Sequence, residues 1–98
     1  MTGDRDRDAL LARRLRVPAH VVFRTFATET IALNLDAGTF HGLNPTAGRM
    51  VEVAAEKVTL AAAARALAAE YDRPERLVAD DLLTLVGDLV QRGLVEAT

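Results

Sequence analysis

The chain has no cysteine and no serine. The first absence excludes a disulfide framework and thiolate metal sites and fits a reducing, cytoplasmic setting. Together the two absences remove the commonest side-chain nucleophiles. Histidine is nearly as scarce: His20 and His41 fall on different predicted strands, without the HxH or HExxH spacing that brings two imidazoles to one metal ion. The glycines at 38, 42, 48, 87 and 93 are scattered and form no phosphate-cradling pattern. Asp80 and Asp81 are neighbours on a predicted helix and point about 100° apart, which suits a solvated acidic face rather than a shared-proton pair. No uncharged stretch approaches the roughly 20 residues that cross a bilayer. Charge of one sign is also missing: twelve basic and fourteen acidic side chains give a net charge of −2, so the chain has no electrostatic reason to seek nucleic acid or anionic lipid. The first residues alternate Asp and Arg without the apolar core of a secretory signal. These absences predict a protein that is not an enzyme, holds no metal or cofactor, and binds neither nucleic acid nor membrane.

What is present is a strand that runs directly into a helix. In Thr39-Phe-His-Gly-Leu-Asn-Pro-Thr-Ala-Gly48, Asn44 reads as an N-cap and Pro45 as the first helical residue. The strand over 39–43 follows a hairpin turn and has no later strand-like run to pair with. It is therefore a predicted sheet edge, whose unpaired N–H and C=O groups a second chain can complete. That points to a holder of extended peptide rather than to chemistry.

At 98 residues the chain is one domain, divided into a flexible N-terminal segment over 1–16 and a folded part over 17–98. Leu10, Leu11 and Leu15, set among arginines, make either a frayed tail or a short basic docking segment. From Pro18 the pattern turns to period two. Val21, Phe23 and Thr25 alternate with Val22, Arg24 and Phe26, then Ile31, Leu33 and Leu35 with Thr30, Ala32, Asn34 and Asp36. Asp36-Ala-Gly-Thr39 supplies a turn of two or three loop residues. A slip of one residue exchanges the faces of Phe40 and His41, so both are candidates without an orientation.

Three helices follow. The first spans about Pro45 to Glu56, with Ala47, Met50, Val51 and Ala54 as its apolar stripe. Thr59 caps the second, which turns Leu60, Ala63, Ala64, Leu67 and Tyr71 inward. The third runs from near Pro74 to Arg92, with Gly93 after its end. It carries two stripes, Val78, Leu82, Leu85 and Leu89 beside Ala79, Leu83, Val86 and Val90, more than the roughly 100° arc a small core needs. Either the domain wraps both, or Leu83, Val86 and Val90 floor a groove beside the edge strand, with Gly87 admitting a backbone. A sheet with three helices also matches a winged helix-turn-helix DNA binder, but Asp80, Asp81 and Asp88 on the third helix oppose phosphate contact.

The run Ile31-Ala-Leu-Asn-Leu-Asp-Ala-Gly-Thr-Phe-His-Gly-Leu-Asn-Pro-Thr-Ala-Gly48, with Val58-Thr-Leu60, Ala68-Ala-Glu-Tyr-Asp72 and Asp88-Leu-Val-Gln-Arg-Gly-Leu94, resembles the PqqD family, also called the RiPP recognition element. The likeness covers residues 17–95. It implies an α+β, winged helix-turn-helix-like fold with a three-stranded antiparallel sheet followed by three helices. It also implies that the leader of a precursor peptide binds as an added strand on the third strand, in a groove closed by the third helix. Placed on this sequence, the contacts are Thr39, Phe40, His41, Gly42 and Leu43 on the strand and Asp80, Leu83, Thr84, Val86, Gly87 and Val90 on the helix. Asp80 and Asp88, one turn to either side of Thr84, are expected to favour a basic leader residue. Members occur alone or fused to modifying enzymes, and this one reads as standing alone. The style is most like the leader-binding proteins of lasso-peptide clusters, which present the precursor to a separate cysteine protease. The alternative is a chaperone of the pyrroloquinoline-quinone type, serving a radical enzyme.

Overall fold

Asn44 closes the sheet and opens the helical half. In the computed structural model, which describes residues 2–98, its side-chain oxygen accepts a hydrogen bond from the Ala47 amide at 2.8 Å, and Pro45 begins the helix as the sequence predicts. The elements are α1 (Thr2–Leu11), β1 (Leu15–Arg16), β2 (Val21–Thr25), β3 (Thr30–Asn34), β4 (Thr39–Leu43), α2 (Pro45–Glu56), α3 (Leu60–Tyr71), α4 (Glu75–Gln91) and β5 (Glu96–Ala97). The fold is α+β as read, with α1 added before the three helices that follow the sheet. Thr59 caps α3 by accepting from the Ala62 amide at 3.1 Å. Beyond α4, Gly93 takes φ +73°, and the amides of Gly93 and Leu94 donate to the carbonyls of Val90 and Leu89. This Schellman ending satisfies carbonyls the helix leaves unpaired and turns the chain toward β5.

The sheet order is β2-β3-β4, antiparallel throughout, so β4 is an edge as expected. Thr30, Ala32 and Leu43 are buried on its inner face. The register sets Ala32 opposite His41 and Leu33 opposite Phe40. His41 therefore shares the inner face, and Phe40 projects outward with 73% of its surface exposed. The hairpin loop is longer than the predicted two or three residues: Leu35 to Gly38 lie between the paired residues Asn34 and Thr39. The reason is local. The Asn34 side-chain oxygen accepts from the Ala37 amide at 3.0 Å, which starts the turn early and takes Leu35 out of the strand.

The helices close over the inner face. Leu60, Leu67, Leu82 and Leu89 are fully buried, and Ala63 and Ala64 between them let α3 and α4 approach closely. Arg49 on α2 binds Glu70 on α3 through a two-pronged contact of 2.7–3.1 Å and also reaches Glu52. The guanidinium's hydrogen bonds hold the Glu70 carboxyl below its usual range. Because the folded value is the lower one, the pair contributes above the unfolded carboxylate range and is lost in acid as pH falls through the folded value.

The segment over 1–16, read from sequence as flexible, carries α1 and β1. Leu11 and Leu15 from it are both buried, and β1 pairs with β5, setting Arg16 against Glu96 with an ion pair of 3.0 Å. Each buried leucine contributes about 2 kcal/mol, enough to explain why this short helix is not left to its own marginal propensity.

Of the glycines at 38, 42, 48, 87 and 93, Gly48 has the tightest seat. A Cβ there would collide with the Thr30 hydroxyl oxygen and lie 2.7 Å from the Thr30 Cβ. Gly48→Ala is therefore expected to cost about 1–3 kcal/mol by overpacking. A thermal melt should show Tm lowered by roughly 4–8 °C per kcal/mol.

Candidate functional site

Two surfaces collect the candidate residues. The first is the free side of β4, which pairs only with β3 among the described residues. Its sequence, Thr39-Phe-His-Gly-Leu43, contains neither proline nor a Lys, Arg, Asp or Glu, so it lacks the common devices that stop an edge from accepting another strand. The opposite edge, β2, carries Arg24 and has Pro18 just before it. Leu43 anchors β4 in the core while Thr39, Phe40 and Gly42 stay exposed.

The second surface is a flank of α4. Leu83, Val86, Gly87 and Val90 together line a cavity of about 360 Å3, whose other described walls are Leu10 of α1, Arg13, Leu60 at the start of α3 and Ala97 of β5. No β4 residue lines this cavity. The second stripe of α4 is thus divided: Ala79 and Val86 are in the core, Leu83 is half-buried, and Val90 is 43% exposed. Leu10, Arg13 and Ala97 were not among the residues singled out from sequence for this surface. Leu10 was visible as part of a leucine cluster, whereas Ala97 and Arg13 carry no local signal.

Asp80 and Asp88 of α4 are already engaged. Asp80 pairs with Arg7 at 2.9 Å, and the same guanidinium donates to the Arg76 carbonyl. Asp88 pairs with Arg92 one turn on at 3.2 Å. Thr84, exposed between them, donates its hydroxyl to the Asp80 carbonyl at 3.0 Å. A further acidic residue, Glu29 in the turn before β3, sends its Oε2 to within 3.5 Å of where a Cβ at Gly42 would be.

With the geometry in view, comparison with known proteins decides the family. The pattern described as Coenzyme PQQ synthesis protein D (PqqD) matches residues 29–95. The chain belongs to the PqqD family. Two solved structures resemble this PqqD-family chain over most of its length. One, described as TbiB1 in complex with the TbiA(beta) leader peptide, is 26% identical with a TM-score of 0.74 over 83% of this chain and 94% of that one. The other, lasso peptide synthetase B1 complexed with the leader peptide, is 22% identical with a TM-score of 0.75 over 85% and 98%, and shows the shared fold. No curated protein matches the chain. Among the described residues no helix is long and apolar enough to cross a membrane.

The divided stripe gives a discriminating pair of variants. Val86→Glu should destabilise the protein by at least about 3 kcal/mol because it buries an unpaired charge. Val90→Glu, on the exposed rim, should stay within about 0.5 kcal/mol of the parent. Urea unfolding of both proteins measures the difference.

Proposed function

We propose that this chain is a non-catalytic leader-recognition protein. It takes the leader of a ribosomally made precursor peptide, of the lasso type, as an added strand on β4 and presents it to a separate peptidase or modifying enzyme in the cytoplasm. The observation that carries this reading is the open, uncharged β4 edge in a chain of the PqqD family. The two similar structures, both complexes with leader peptides, support it.

In this mechanism the main chain supplies register. Along Thr39, Phe40, His41, Gly42 and Leu43, the alternate residues whose N–H and C=O groups turn away from β3 pair with the leader backbone, and side chains along the leader supply selectivity. Leader residues beyond the paired strand meet α4, where Asp80, Leu83, Thr84, Val86, Gly87 and Val90 form the second contact surface and the cavity receives an apolar side chain. A carrier of this kind needs a Kd of about a micromolar, roughly −8 kcal/mol. The family description itself favours a second reading, a peptide chaperone in coenzyme PQQ synthesis; it shares the peptide-binding step and differs in the enzyme served.

Titration calorimetry with the leader of a precursor encoded beside this chain tests the reading. A scrambled leader should not bind. N-methylation of the leader backbone at alternate positions should weaken binding about fivefold per lost hydrogen bond, at positions spaced by two. Insensitivity to N-methylation would exclude strand addition.

A further inference from the structure

The outer face of the sheet contains two cross-strand rows that both end at the open edge. Val22, Leu33 and Phe40 are directly opposite one another in the register, and so are Arg24, Ile31 and Gly42. Directly opposed residues share a face about 5 Å apart, so a strand added to β4 extends each row by one residue. Beside Phe40 the row is apolar and its last member is largely exposed. Beside Gly42 the row has a gap, since glycine offers no side chain. Into that gap leans the Glu29 carboxylate, 3.5 Å from the position a Cβ at Gly42 would take. Among the described residues, the ion pairs of the chain involve other acids and leave Glu29 without a cation.

We infer that Glu29, Gly42 and Phe40 form a selectivity site for the bound peptide, one that takes a Lys or Arg opposite Gly42 and an apolar or aromatic residue opposite Phe40. The inference rests on the strand-addition reading and specifies its ligand. The sheet is antiparallel, so an added strand that continues the pattern runs opposite to β4 and meets Gly42 before Phe40. From N- to C-terminus it then reads basic, any, apolar: the first and last residues face outward beside Gly42 and Phe40, and the middle one faces inward opposite His41. A basic side chain there finds the glutamate across an empty glycine position rather than across a competing side chain. Its aliphatic stem lies along Ile31 while its charge reaches the carboxylate.

The test uses the full chain and the same leader peptide, with each leader residue replaced in turn by Glu. Affinities are measured at low and high salt for the parent, Glu29→Gln and Glu29→Lys, and hydrogen exchange follows the β4 amides. Glu29 is exposed, so equal thermal melts verify that the variants are folded. The expected result is a roughly fivefold loss for Glu29→Lys at low salt, shrinking at high salt. A leader with Glu at the matching basic position should regain that loss, and the sensitive apolar position should fall two residues later. If the leader protects the β4 amides but Glu29→Lys stays within twofold of the parent, the selectivity site is overturned and strand addition stands. If no leader protects β4, both fall together.

Discussion

The seat of α2 on β3 sets the position of everything that follows. Gly48 brings the first turn of the helix against Thr30 with no room for a side chain. Because β4 runs into α2 through the single capping residue Asn44, where the helix sits decides where the strand can lie. Leu43 enters the same buried core as Met50 and Val51 of α2, so β4 is held along one side by β3 and at its end by the helix. The remaining side is left open by the same contact. Moving α2 outward by even a few tenths of an ångström would loosen Leu43 and blur the register on which any added strand depends.

Charge is used differently on the two halves of the molecule. On the helical side the acids are mostly occupied: Asp80 by Arg7, Glu70 and Glu52 by Arg49, Glu75 by Arg65 and Asp88 by Arg92. Each exposed pair adds only about 0–1 kcal/mol to stability. They also commit Asp80 and Asp88 of α4 to arginines of the same chain. At the sheet edge the strand itself is uncharged and the nearby Glu29 is uncommitted. A partner approaching there meets backbone first and one local charge second.

Features that depend on a few neighbouring residues were legible in the sequence. Asn44-Pro45, the Thr59 cap and Gly93 after α4 each encode a helix end within about four residues, and the α4 stripes follow from helical spacing. The edge position of β4 followed from counting strands. What escaped depends on distant partners or on competition between local bonds. The turn length turned on the Asn34 side chain taking the Ala37 amide. The placing of Leu15 needs β5, about eighty residues away, and the cavity needs Arg13 and Ala97 from opposite ends of the chain. Glu29 acquires its meaning only once the fold sets its carboxylate beside Gly42, whose opposite in the register is Ile31.

The shortness of β4 constrains how recognition works. A five-residue edge in antiparallel pairing turns only alternate residues' bonding groups outward, and each hydrogen bond nets about 1 kcal/mol. A few such bonds do not overcome the association cost of at least about 4 kcal/mol and still leave the roughly −8 kcal/mol of a micromolar complex. Side chains must therefore carry much of the affinity. The exposed Phe40, with Leu33 behind it, offers apolar contact at the point where the backbone register is fixed. Backbone pairing alone would accept nearly any extended segment, including the edge of a second copy, and would hold it weakly. In the proposed strand addition, placing selectivity on side chains beside a short open edge would favour one peptide pattern over other extended segments.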